Sequence, residues 1–213
     1  MSSAESVAFF GLAGDACSEI ACTHLKEHFE TVTCFMGTND VPPRDIDPGV
    51  LDVDWLFCFK SKTIFRSATL ASVRLAAINF HTAHPRYPGS GGVNWALYNN
   101  DTTAAITTHH ITAAVDAGPI IDVAPFSCDG AKTVKSLLEL TYQHHLLAFI
   151  RITTQIATRG TAWVKDAEAA YLGPTWGQHT YRLRDLEALK QIKSDMDSDE
   201  VDRRIRATRF RNY

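Results

Sequence analysis

The sequence predicts an α/β protein: a Rossmann-like, mostly parallel sheet with flanking helices, followed by a short C-terminal arm. Three observations predict it. Short apolar runs (VAFFGL, TVTCFM, WLFCF, LAAINF) alternate with stretches of helical spacing through the first 80 residues. The run at 75–80 ends on a polar residue, His81, where open parallel sheets place their ligands. The chain has 213 residues, 45% hydrophobic and 21% charged, enough for one domain with a sizeable core or one domain plus a small appendage.

The elements follow in order. Residues 7–12 form a buried first strand ending in the G-x-x-G turn of Gly11 and Gly14. Residues 15–28 are a helix, with Ile20, Leu25 and Phe29 near one face. Residues 31–36 are the second strand. The stretch 37–49, with three prolines, is a surface loop. Residues 55–59 are the third strand and 66–76 hold a short helix. The fourth strand, 75–80, delivers His81 to its end. A Pro/Gly-rich loop, HPRYPGSGG, leads into a helix around 93–99. Residues 104–111 and 119–126 are two further strands with Asp116 in the loop between them. Residues 133–158 make a long helix. Residues 163–177, with Gly173, Pro174 and Trp176, read as an extended arm; 183–192 form a short helix, and Asp197-x-x-Glu200 starts a last one. Residues 1–160 are expected to form the Rossmann-like domain and 161–213 an extension that completes its site or an interface.

Composition narrows the function. A formal charge of −3 argues against a polynucleotide substrate, which calls for a basic balance. The N-terminus lacks the charged and apolar regions of a signal peptide, and no stretch is long enough to span a membrane. The five cysteines form no C-x-x-C pair and are expected to be reduced thiols of a cytoplasmic protein. His109-His110 and His144-His145 are adjacent pairs, a poor two-ligand arrangement, and no metal is expected.

Asn79 and His81 lie two apart on a strand and therefore point to one face. A carboxylate at Asp116 reaches them if its loop folds over the same crevice. Together these groups suit amine attack on a formamide-like carbon. Asn79 donates to the tetrahedral oxyanion, protonated His81 donates a second hydrogen bond and passes a proton on, and Asp116 favours the charged ring. Taken by spacing alone, the three fit a polar strand end beside a surface aspartate better than a catalytic group.

The segment INFHTAHPRYPGSGGVNWALYNNDTTAAITTHHITAAVDAGPII carries N-x-H, P-x-Y-x-G, an apolar helix ending in Asn-Asp, T-x-H and V-D-x-G-x-I in order. It resembles the signature region of the folate-dependent formyltransferases, which include the glycinamide ribonucleotide, methionyl-tRNA and nucleotide-sugar enzymes. The short form, with NFH and NWALY, is closest to the nucleotide-sugar branch. Thr82 stands where the family commonly has Pro, and Thr82-Ala83-His84-Pro85 is shorter than the usual S-L-L-P stretch.

The resemblance implies a formyltransferase fold and the co-substrate N10-formyltetrahydrofolate, without a metal. It implies catalytic roles for Asn79, His81 and Asp116. It places the folate along Phe59, Ser61, Lys62 and Ile64, beside His109, and along Thr112 and Ala113, largely through main-chain groups. Tyr87, Gly89, Trp95 and Arg86 are expected at the acceptor, a nucleotide-linked amino sugar. Trp95, Tyr98, Trp176 and Tyr181 are either stacking platforms or packing residues, and Arg86 and Lys62 either meet a diphosphate or are solvated. The implied setting is a cytoplasmic homodimer in lipopolysaccharide biosynthesis, with neither nucleic-acid nor membrane partners. Fewer than about 60 residues follow the long helix, too few for a tRNA-binding barrel. The alternatives are a small-amine formyltransferase such as the glycinamide ribonucleotide enzyme, a formyltetrahydrofolate hydrolase of the same fold, and a non-catalytic folate or sugar-nucleotide binding protein.

Overall fold

The computed structural model describes residues 2–38 and 51–210. Most of the turn-rich stretch expected to be a surface loop, residues 39–49, lies outside the described residues. The sheet has six strands: β1 (Ser3–Leu12), β2 (Phe29–Gly37), β3 (Val53–Phe59), β4 (Val73–His81), β5 (Thr103–His110) and β6 (Ile120–Ser127). Their order is β2-β1-β3-β4-β5-β6. The first four run parallel, β5 returns antiparallel to β4, and β6 pairs antiparallel with β5.

β1, β3 and the end of β4 are buried on both faces, which is why they read as unbroken apolar runs, whereas β2 at the sheet edge is largely exposed or half-buried. Phe9, Phe57, Ile78 and Phe80 point to one face and pack with Leu25 of α1 (Ala16–His28) and with Phe149, Ile152 and Ile156 of α4 (Val134–Arg159). Ala8, Phe10, Leu56 and Ala77 point to the other face and pack with Phe65, ahead of α2 (Ser67–Ala71). A third cluster joins Trp95 and Leu97 of α3 (Gly92–Tyr98) to Leu189 of α6 (Leu183–Leu189) and Ala207 of α7 (Ser198–Thr208). The Asn94 amide donates to the Ala207 carbonyl at 2.7 Å and Arg206 to that of Leu97 at 2.9 Å, so α7 is tied to α3.

Helix starts follow the capping residues. Asp15 accepts from the Ser18 amide at 2.9 Å, Thr133 from that of Ser136 at 3.1 Å, and Asp197 from that of Glu200 at 2.7 Å. Each such cap contributes about 1 kcal/mol.

Four expectations need correction. Ile20 is half exposed; Ala21, Cys22 and Leu25 face the sheet instead, and Phe29 opens β2. The helix at 66–76 covers only Ser67–Ala71, because residues 73–76 pair with β3. The arm begins later than its Gly, Pro and Trp residues suggest: Thr161–Ala170 is helix α5, with Val164 buried in the core. Four residues of that decapeptide, TAWVKDAEAA, are Ala, the strongest helix former. Finally, Cys22 and Cys34 are not free thiols. α1 lays Cys22 over the neighbouring strand, the Cα atoms are 6.6 Å apart and the pair is a disulfide. Cys17, Cys58 and Cys128 remain free. No helix among the described residues is long and apolar enough to cross a membrane.

Candidate active site

β4 ends with Asn79 and His81 on the face opposite Ile78 and Phe80. In the antiparallel β4–β5 ladder, Asn79 sits across from His109 and His81 from Thr107. The loop after β5 then brings Asp116 back over the strand end. His81 Nδ1 is 3.3 Å from Asp116 Oδ2, and His109 Nε2 is 3.3 Å from Asp116 Oδ1. The Asn79 amide nitrogen is 3.1 Å from the same His109 nitrogen. The four side chains thus form one polar patch, with the two rings and the carboxylate at most 9% exposed.

Asp116 is held firmly in place. Its φ of 45° is left-handed, an unfavourable conformation for a residue with a Cβ. The Gly89 amide donates to Oδ2 at 2.7 Å. Gly89 itself has φ +92°, and a Cβ there would lie 2.1 Å from the Tyr181 carbonyl oxygen, so glycine is required. A Cβ on Gly118 would lie 1.9 Å from the His110 carbonyl oxygen, so the loop closes tightly behind Asp116.

Both nitrogens of His81 face acceptors. Nε2 donates to the Tyr87 carbonyl at 3.0 Å, and Nδ1 faces Asp116. Burial nevertheless lowers the ring below its ordinary value of 6.5, against the pull of Asp116 and Tyr87 and with His109 adding to the fall. Asp116 favours the charged ring, as expected, but burial outweighs it, so the expectation of a protonated His81 is corrected. The ring rests neutral, with two acceptors ready for an imidazolium once a proton arrives. Burial works to raise the Asp116 carboxyl, but the electrostatic pull of the adjoining His81 ring, the His109 hydrogen bond and the Gly89 amide together hold it below its ordinary value.

A cleft of about 440 Å³ opens beside this patch at the carboxyl ends of β1, β3 and β4. Leu12, Asp15, Lys60, Ser61, Lys62, Asn79, Phe80, His81, Thr82 and Tyr142 line it. Lys60, in a left-handed conformation (φ 58°), pairs with Asp15 at 2.5 Å and lies 3.6 Å above the Tyr142 ring. The arm covers the other side: Trp176 meets the His109 ring edge-on at 4.9 Å and the His81 ring at 5.9 Å, and its indole donates to the Gly118 carbonyl at 2.8 Å.

The sequence-derived positions divide accordingly. Asn79, His81, Asp116 and His109 come together, and Ser61 and Lys62 reach the cleft. The Phe59 side chain is fully buried and stacked on His145 at 3.9 Å, which leaves only its main chain for a ligand. Ile64, Thr112 and Ala113 are exposed. Tyr87 contributes its carbonyl to His81 while its hydroxyl donates to Asp101 at 2.8 Å. Arg86 lies 3.4 Å from Asp101. Trp95 is buried, 4.3 Å from the Tyr181 ring, with its indole donating to the Ser90 carbonyl; it is a packing residue away from the cleft, since α3 turns it inward. Sequence reading missed Asp15, Lys60 and Tyr142. Asp15 falls in the sequence only at the start of a helix, and nothing there marks its long-range pairing with Lys60.

No family model matches the chain. It is 31% identical over 88 residues to the bifunctional polymyxin resistance protein ArnA of Wigglesworthia glossinidia brevipalpis; the match spans 41% of this chain and only 14% of that protein's length. Its structure is similar to an N-formyltransferase from Helicobacter canadensis in complex with folinic acid and dTDP-3-aminofucose (17% identity, 97% of this chain and 81% of that one, TM-score 0.74). It is also similar to a sugar N-formyltransferase from a Shewanella species (14% identity, 98% and 90%, TM-score 0.75). HypX from Aquifex aeolicus in complex with tetrahydrofolic acid matches 99% of this chain with 35% of its own (14% identity, TM-score 0.62). The chain therefore has the formyltransferase fold, as the signature region from Ile78 to Ile121 implies.

Proposed function

We propose that the protein transfers the formyl group of N10-formyltetrahydrofolate to the amino group of a nucleotide-linked amino sugar. The convergence of Asn79, His81 and Asp116 at the rim of the cleft, within this fold, carries the reading. The sugar nitrogen attacks the formyl carbon, and the Asn79 amide donates to the oxyanion. His81 takes the proton that the amine loses and becomes an imidazolium held by Asp116 and the Tyr87 carbonyl. The bond from carbon to N10 then breaks, and the proton goes to N10. The products are an N-formyl sugar and tetrahydrofolate. The enzyme forms no covalent bond, and the step needs no metal.

Ser61 and Lys62 at the cleft, the exposed Ile64, Thr112 and Ala113, and the main chain at Phe59 are the positions we assign to the folate, beside His109. Gly89, Tyr87 and Arg86 border the acceptor side, which the arm within residues 161–213 completes. The resemblance to the nucleotide-sugar branch supports the acceptor class and extends the reading to a cytoplasmic homodimer in lipopolysaccharide synthesis. The test is tetrahydrofolate release, followed with and without dTDP-, UDP- and GDP-linked amino sugars. Release that requires one of these sugars supports the reading and names the acceptor. Release with water alone makes the protein a hydrolase, and release only with a small amine such as glycinamide ribonucleotide replaces the acceptor.

A further inference from the structure

A second cluster of ligating side chains lies far from the cleft. The last turn of α1 reads His24-Leu25-Lys26-Glu27-His28. Positions i and i+4 share a helix face, and the ligand atoms of His24, Glu27 and His28 lie within 4.8 Å of one another. The two rings are 4.2 Å apart between centroids.

The hydrogen bonds around the cluster fix both tautomers. His28 Nδ1 donates to the His24 carbonyl at 2.8 Å, leaving the lone pair on Nε2. His24 Nε2 is 3.3 Å from Thr154 Oγ1, and that hydroxyl spends its single hydrogen on the Ile150 carbonyl at 2.8 Å. His24 Nε2 must therefore donate, leaving the lone pair on Nδ1. A ring that donates one N–H to an oxygen and presents its other nitrogen bare has the arrangement of a metal-bound histidine. The carboxylate of Glu27 is exposed beside the pair, and a helix C-terminus favours a cation.

The geometry points to a zinc site formed by His24, Glu27 and His28. Two imidazoles and one carboxylate select a borderline divalent transition ion over magnesium or calcium. Three protein ligands leave a fourth position for water. The site lies at the end of α1 remote from Asp15, and therefore away from the cleft; through Thr154 it clips α1 to α4.

The test uses untagged protein freed of metal with a chelator and titrated calorimetrically with Zn²⁺ near pH 7.5. One equivalent binding with a micromolar Kd is expected, with no heat from Mg²⁺. His28→Gln and His24→Gln should each weaken binding at least about tenfold, because each removes one of three ligands. Glu27→Gln should weaken it several-fold. Circular dichroism of the metal-free variants controls for folding, and His110→Gln, at a separate histidine–glutamate pair, should bind as the parent does. Zinc should raise the parent's Tm and leave that of His24→Gln/His28→Gln unchanged. Parent protein that binds nothing below about 100 μM, or a double variant that binds as tightly as the parent, overturns the proposal.

Discussion

The two faces of β4 set two buried histidines in opposite circumstances. On one face His81 lies beside a carboxylate and a carbonyl. On the other, His145 of α4 is stacked flat on Phe59, with Nε2 donating to the Phe80 carbonyl at 2.7 Å and Nδ1 buried without a partner. Burial dominates both rings and lowers both. For His145 nothing nearby offsets it adequately, and the ring falls to about 3. For His81, Asp116 opposes the fall. The difference separates a histidine that can exchange a proton from one that stays neutral as part of the core.

The largest effect expected from breaking this contrast is on activity. His81→Asn should lower kcat about 10²–10³-fold, and Asn79→Ala by a similar factor, each removing roughly 2.7–4 kcal/mol of transition-state stabilisation. Steady-state kinetics with saturating folate checks both. Next is the Cys22–Cys34 bridge, on the His145 side of the sheet. It closes a short loop, with partners 12 residues apart. Reduction should cost about 3 kcal/mol, a fall in Tm of roughly 6–12 °C for a chain of this size. Calorimetry with and without dithiothreitol measures it. Thiol counting on protein isolated without reductant should find three free cysteines; five would restore the expectation of reduced thiols.

The acid side then distinguishes the two rings. The His145 pKa is lower in the folded protein than in the unfolded chain, so the unfolded chain binds the extra proton once pH drops below about 6.5. Stability should therefore decline by about 1.4 kcal/mol per unit as pH falls from 6.5 towards 3 on this account. His145→Gln, which keeps a donor for Phe80, should flatten that slope in urea melts. His81 should govern activity instead. kcat should hold above pH 6.5 and fall below it, as the neutral ring is lost. In Asp116→Asn, which removes the carboxylate that raises the ring, the fall should move to lower pH. The smallest effect is expected for Trp176→Ala: about a tenfold loss in kcat/KM, roughly 1.4 kcal/mol, because the indole covers His81 and His109 without bonding to either.

The contrast was partly legible in the sequence. The alternation of LAAINFH already separates Ile78 and Phe80 from Asn79 and His81, because strand periodicity needs only local information. The four parallel strands were legible for the same reason, as short runs of β-branched, aromatic and other apolar residues bounded by turns. What was hidden depends on pairing across the chain. The return of β5 along β4 places His109 against Asn79, and the left-handed turn at Asp116 closes the patch; neither has a local signal. The balance that leaves His81 neutral requires its depth of burial, which the sequence alone does not supply. Trp176 offered a misleading cue: with Gly173 and Pro174 it made the whole of 163–177 read as an arm, although Gly160 merely separates two helices.

The most direct test of the central claim is acceptor-dependent formyl transfer by His81→Asn and Asn79→Ala, measured beside their affinity for 5-formyltetrahydrofolate. The account predicts folate affinity within about threefold of the parent and a turnover lower by about 10²–10³, because both groups act on the transition state. Turnover at the parent rate with intact folate binding would contradict it and move the chemistry away from this strand end.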